Sequence, residues 1–251
     1  MADEERRERV TAAVLAIGDE LLSGRTKDRN IGYIAEYLTE IGVDLMEARI
    51  VPDVEERIVA ALNEMRSAYD YVLTTGGIGP THDDITADAV AKAFGVGIGH
   101  DERAVALLKA RYETAGLELN EARLRMARIP HGAALIENPV SAAPGFRVAN
   151  VFVMAGVPAI MQGMLDQVAP LLGRGRKVHA VTVAVAAPEG NVAAVLADVD
   201  KRFEGVSIGS YPFYTQAGFG TNVVLRSRDE ARLAEAETAL REALGDAVAE
   251  A

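Results

Sequence analysis

Apolar positions along the first two thirds of the chain follow two alternating rhythms. Short unbroken runs, Val14-Leu15-Ala16-Ile17 before Gly18 and Tyr71-Val72-Leu73-Thr74-Thr75 before Gly76, read as strands buried on both faces. Ile31, Ile34, Leu38 and Ile41 recur at helical spacing and stop at Gly42, predicting a helix over Asn30 to Ile41. A strand over Val43 to Val51 follows, closed by Pro52, and Ile58, Leu62 and Met65 mark the next helix. A helix from Ala87 to Phe94 ends at Gly95, and two more, Glu102 to Ala115 and Glu121 to Ala127, lead to Pro130. Phe146 to Met154 predicts a strand pair turning at Asn150, and Ala159 to Val168 a helix. Strands alternating with helices predict an α/β fold, a mostly parallel sheet covered by helices on both faces.

The rhythm changes after Gly173-Arg174-Gly175-Arg176-Lys177, a polar stretch without periodicity, so two domains are expected, residues 1–175 and 176–251. In the second, Val178 to Ala186, Val206 to Ser210 and Thr221 to Arg226 read as strands, and Asn191 to Phe203 and Glu230 to Leu244 as helices. That β-α-β-β-α order predicts a small α+β domain with an antiparallel sheet. Tyr211 to Tyr214 and Gly218 to Gly220 read as an ordered loop between strands, its aromatics packing an interface or covering a ligand.

Composition narrows the function. A formal charge of −11 opposes binding to nucleic-acid backbones, which demand clustered Lys and Arg. No run approaches the roughly 20 apolar residues of a membrane span, and the charged stretch Met1 to Arg9 lacks the apolar core of a leader, so a cytoplasmic protein is expected. With no cysteine in the chain, a metal would sit on oxygen or imidazole, and His82, His100, His131 and His179 share no zinc-ligand spacing.

Chemistry concentrates where strands end. Thr74-Thr75-Gly76-Gly77-Ile78-Gly79-Pro80-Thr81-His82-Asp83-Asp84-Ile85-Thr86 joins a buried strand to a helix through three glycines, the arrangement that presents backbone amides to an anion. It lacks the Walker A ending and the dinucleotide fingerprint spacing. Thr86 is expected to cap the helix, whereas two adjacent carboxylates exceed capping needs. Gly18-Asp19-Glu20-Leu21-Leu22-Ser23-Gly24 ends the first strand and Val51-Pro52-Asp53 the second. Asp28, Asn30 and Asp53 also have ordinary capping roles open to them. If the three strands are neighbours, Asp19, Asp53, Asp83 and Asp84 converge at the sheet edge where parallel α/β folds hold ligands. A divalent cation bridging to substrate phosphates would relieve their repulsion.

These segments, with Asp28, Asn30 and Gly156-Val157-Pro158, resemble the molybdopterin-binding domain of the MoaB/Mog family over about residues 12 to 172. Within that family the chain resembles the branch of the competence/damage-inducible protein CinA amino-terminal domain and the similar domain of eukaryotic FAD synthase. The resemblance implies a three-layer α/β/α sandwich, a homo-oligomer, and a pocket for a phosphorylated pterin such as molybdopterin or for a nucleotide. Asp53 and Asp84 match the two aspartates serving metal and adenylyl chemistry in the adenylyltransferases, and Asp83 joins them as a candidate ligand to Mg²⁺, Mn²⁺ or Co²⁺. Thr75, Gly76, Gly77, Gly79, Pro80, Thr81 and Thr86, with Gly18, Asp19, Glu20, Asn30, Gly156 and Pro158, are the expected ligand contacts. The implied activity is metal-dependent hydrolysis of a nucleotide diphosphate, ADP-ribose or FAD in class. Ala155 stands where relatives commonly carry proline. The amidohydrolase activity of longer CinA proteins is not expected.

Overall fold

The computed structural model describes residues 9–215 and 218–249; the leader-free reading of Met1 to Arg9 falls, except for Arg9, outside them. The chain divides into two compact units, Met1–Gly175 and Arg176–Ala251. Among the described residues no helix is long and apolar enough to cross a membrane.

The first unit begins β1 (Val10–Ile17), α1 (Asp19–Leu22), α2 (Asn30–Glu40), β2 (Val43–Val51), α3 (Glu55–Ala68), β3 (Tyr71–Thr75) and α4 (Thr86–Phe94). It continues through β4 (Ile98–His100), α5 (Glu102–Thr114), α6 (Glu121–Leu124), β5 (Arg128–Pro130), β6 (Ala134–Ile136), β7 (Gly145–Val148), β8 (Val151–Met154) and α7 (Pro158–Val168). The main sheet runs β2-β1-β3-β8-β7-β6, parallel from β2 to β8 and antiparallel beyond.

Alternation along β1 shows why the unit has three layers. Ala13, Leu15 and Ile17 enter one core with Ile58, Leu62 and Met65 of α3 and Val90 of α4. Ala12 and Val14 enter the other with Ile34 and Leu38 of α2 and Met161 and Leu165 of α7. Side chains alternate faces along a strand, so a strand apolar at every position must be covered twice. Each fully buried large apolar side chain contributes about 1.5–3 kcal/mol, which makes these two faces the main source of stability.

Where expectation and structure differ, the cause is local. Strands β4, β5 and β6 are three residues each, too short to show a period, and β4 pairs with β5 across 30 residues of sequence space in a separate two-stranded sheet. The helix expected to reach Ala127 stops at Leu124, and Arg125–Ala127 form one 3₁₀ turn before β5. The two-residue turn between β7 and β8 places Ala149 at φ 49°, a left-handed position that glycine fills without strain. Ala149→Gly is expected to raise unfolding free energy by about 0.5–1 kcal/mol, measured by urea denaturation.

The second unit comprises β9 (His179–Val185), α8 (Glu189–Arg202), β10 (Ser207–Thr215), β11 (Gly218–Ser227) and α9 (Glu230–Leu244), with an antiparallel sheet ordered β10-β11-β9. Val183, Val223 and Leu225 of the sheet pack with Val192 and Val199 of α8 and Leu233, Ala236 and Leu240 of α9. The segments Tyr211 to Tyr214 and Gly218 to Gly220 are strand rather than loop. Pro212 reads as a loop residue in sequence, but β10 lies at the sheet's edge, where a missing N–H is tolerated.

Candidate functional site

Four parallel strands end side by side, because the register sets Ile17 opposite Val51, Ala16 opposite Thr75, and Thr75 opposite Met154. Backbone bonds carry this alignment past the strand ends: Gly18 N donates to Val51 O at 3.1 Å and Gly76 N to Met154 O at 3.2 Å. The chain leaves β1 for β2 on one side and leaves β3 towards β8 on the other, so β1 and β3 border a topological switch point, the usual ligand crevice of such sheets.

The glycine turn after β3 leaves no room for side chains at its first two positions. Gly76 adopts φ 108°, and a Cβ there would stand 2.1 Å from Ile17 O. Gly77 adopts φ 67°, and its Cβ would stand 2.1 Å from Thr86 Oγ1. Thr86 is the first residue of α4 rather than its cap: no side chain caps this helix, and the buried Thr86 hydroxyl donates instead to Gly76 O at 2.9 Å. Its amide donates to Gly77 O at 3.0 Å, so Thr86 ties the turn down from behind. In front, the amides of Gly77, Ile78 and Gly79 have no hydrogen-bond acceptor among the described residues.

That turn walls a cleft of about 480 Å³. Among the expected contacts, Glu20, Gly76, Gly77, Gly79, Pro80, Asp84, Gly156 and Pro158 line it. Thr26, Met126, Asn138, Ser141, Ala143 and Ile160 line it too, and were not anticipated. These residues contribute shape rather than charge; only the turn marked by Asn138-Pro139 hinted at this wall. Asn138 holds that wall together, its Oδ1 accepting from Val140 N and Ser141 N and its Nδ2 donating to Ser141 Oγ and Ala143 O. Asn30 and Thr75 line an adjoining chamber of about 60 Å³.

The acidic residues are distributed unevenly. Asp84 Oδ2 accepts from Thr81 N at 2.8 Å and from Thr81 Oγ1 at 2.6 Å, which fixes the carboxylate at the cleft wall. Asp53 does not line the cleft and does not cap α3; it accepts from Asp19 N at 2.8 Å, joining the ends of β1 and β2. Burial pushes the Asp53 carboxyl above the usual carboxylate range; the Asp19 amide pulls it back, and the charges of Asp19, Glu20 and Asp83 push it up further. Asp83 is exposed, and Asp28 accepts from Ile31 N in the capping role open to it. Among the described residues no three Asp, Glu or His side chains stand together as a ready metal-holding group, so Asp53, Asp83 and Asp84 do not form one by themselves. Nor does any Lys or Arg line the cleft, whose charged walls are Glu20 and Asp84.

Comparison with known proteins identifies both units. Residues 13–174 match the probable molybdopterin binding domain, and residues 177–251 match the FAD synthase middle domain. A protein of Thermococcus kodakarensis is 38% identical over 237 residues, 88% of this chain and 92% of its own length. One from Pyrobaculum calidifontis is 36% identical over 211 residues, 80% of each chain. The crystal structure of CinA from Thermoplasma acidophilum, a protein described as of unknown function, is 35% identical, with a TM-score of 0.59 over 64% of this chain and 97% of that one. The chain belongs to the family of probable molybdopterin binding domains, in its CinA-like form, joined to a unit of the FAD synthase middle domain type.

Proposed function

We propose that the cleft binds the diphosphate of a nucleotide, ADP-ribose or FAD in class, and hydrolyses its phosphoanhydride with a divalent cation. The observation carrying this reading is the run of three acceptor-free amides at Gly77, Ile78 and Gly79 on the wall of the cleft. Consecutive backbone N–H groups form a nest for phosphate oxygens without a cationic side chain.

An anionic ligand entering a cleft walled by Glu20 and Asp84 finds cations only outside that lining, Arg125 on the Asp84 carbonyl and Lys27 and Arg29 in the adjoining chamber, so a positive ion beside Asp84 would strengthen its hold. The residues present fit Mg²⁺, Mn²⁺ or Co²⁺, since such ions take one or two protein carboxylates and complete their shell with phosphate oxygens and water. Asp84 would hold the ion at the wall, while Asp53 and Asp83, which do not line the cleft, would act through water in its shell. Bound there, the ion would polarise the bridging phosphate and lower the pKa of water. The glycine amides would hold the phosphates while Thr81 keeps Asp84 oriented. In hydrolysis the water oxygen bonds to one phosphorus, the P–O–P bridge breaks, and ADP-ribose yields AMP and ribose 5-phosphate.

The test is release of AMP from ADP-ribose and from FAD with Mg²⁺, Mn²⁺ or Co²⁺, compared with the same reactions in a chelator. No AMP with any of the three ions sinks the hydrolase. A second reading, binding of a phosphorylated pterin without hydrolysis, draws on the apolar cleft walls Ile17, Ile78, Met126, Val157 and Ile160, which suit a flat ring. Calorimetric binding of a pterin phosphate without AMP release from any nucleotide would favour it.

A further inference from the structure

Asn30 is a polar side chain buried to 95% that the phosphate reading leaves without a task. Its Nδ2 donates to Thr75 Oγ1 at 2.7 Å and to Gly156 O at 2.8 Å, and Thr75 Oγ1 in turn donates to Ala155 O at 2.9 Å. Both amide hydrogens are therefore spent, and turning the amide over would press its oxygen against the Gly156 carbonyl. Asn30 Oδ1 is left with no donor among the described residues. A buried acceptor left unpaired costs about 1–3 kcal/mol, so this atom calls for a partner from outside the chain.

The chamber that Asn30 lines restricts that partner by size and charge. At about 60 Å³ it holds roughly two waters or a group of one or two heavy atoms, and no ring. It shares Ile17, Glu20, Thr26, Gly156 and Pro158 with the main cleft, so a ligand seated there reaches it directly. Its charged walls balance, Lys27 and Arg29 against Glu20 and Asp28, so no net charge there favours an ionic group. A neutral donor suits that balance, and the donors nearest the diphosphate of a nucleotide are the hydroxyls of its sugar.

We infer that the side chamber is a subsite for a sugar hydroxyl of the nucleotide, read by Asn30 Oδ1. This deepens the diphosphate reading and rests on it. A ligand hydroxyl would give Oδ1 the donor it lacks, whereas a deoxy ligand would leave it unpaired. Sites built to bond a hydroxyl discriminate against analogues lacking it for this reason.

The test is calorimetric titration of the whole chain, with Mg²⁺, by inorganic pyrophosphate, ADP and 2′,3′-dideoxy-ADP. The expected result is binding of all three, with dideoxy-ADP at least about tenfold weaker than ADP. In Asn30→Ser that ratio, read within the variant, falls toward one. Equal affinity for ADP and dideoxy-ADP in the natural protein, alongside binding of pyrophosphate, overturns the hydroxyl subsite and leaves the phosphate site standing. Failure of pyrophosphate and both nucleotides to bind overturns the two together. The comparison of ligands on the unaltered protein decides the matter even if the variant does not fold.

Discussion

Gly76→Ala is expected to destabilise the first unit by about 3–5 kcal/mol, enough to leave much of it unfolded at 37 °C. Two penalties add. The residue sits at φ 108°, where a side chain is strained, and the new methyl would lie 2.1 Å from Ile17 O, a backbone atom at the end of a central strand. Neither side can yield cheaply: Ile17 is held in register with Val51 of β2, and Gly76 is bonded to Met154 of β8. Guanidinium denaturation of Gly76→Ala against Gly24→Ala separates this from a general effect of removing glycine. Gly24 also has positive φ, 72°, but its Cβ would meet nothing within 4 Å. Equal losses in the two variants would show that the close approach contributes nothing.

Asp84→Asn is expected to lower AMP release about a thousandfold while leaving the fold intact. Asparagine can still accept from Thr81 N and Thr81 Oγ1 through Oδ1, so the loop keeps its shape while the charge is lost. Retention of full turnover would remove Asp84 from the chemistry. Asp53→Asn should separate stability from function in the opposite sense. Burial raises the Asp53 carboxyl above the usual carboxylate range in the folded protein. The neutral form is thus favoured by folding, and this contribution is full below the unfolded value. It is lost as pH rises through the higher folded value. At neutral pH the ionised Asp53 therefore weakens the metal-free protein. Asp53→Asn should melt at a higher temperature without metal and gain less from added Mn²⁺, as thermal unfolding with and without the ion would show. A higher melting point accompanied by an unchanged Mn²⁺ response would free Asp53 of any part in binding the ion.

The central strands and the glycine turn were readable from residue order because each obeys a local rule. A run such as Val14 to Ile17, apolar at every position, can only be buried twice, and Gly76 and Gly77 stand where other residues would collide. What escaped notice depends on partners far away in the chain. His100 is strand only because Arg128 lies beside it, and Tyr211 to Tyr214 are strand only because β11 returns along them. Within the site, Asp53 and Asp84 both carry obvious charge, but charge does not say which one meets the cleft. The bond from Asp19 N to Asp53 and the bonds from Thr81 to Asp84 decide that, and neither follows from spacing. Ser141 and Ala143 enter the cleft through a wall folded by Asn138, for which no periodicity exists.

The pairing of β3 with β8 bears on the order in which the molecule is made. Val72 to Thr75 find their neighbours at Val151 to Met154, almost eighty positions further along. While the ribosome is still delivering the intervening segment, β3 has β1 on one side and a bare row of amides and carbonyls on the other. Such late, distant closure favours slow maturation and exposes nascent chains to mispairing with one another. The hollow that would receive a nucleotide gains its far wall only when β8 docks, so no shorter nascent chain can be rescued by ligand before that moment.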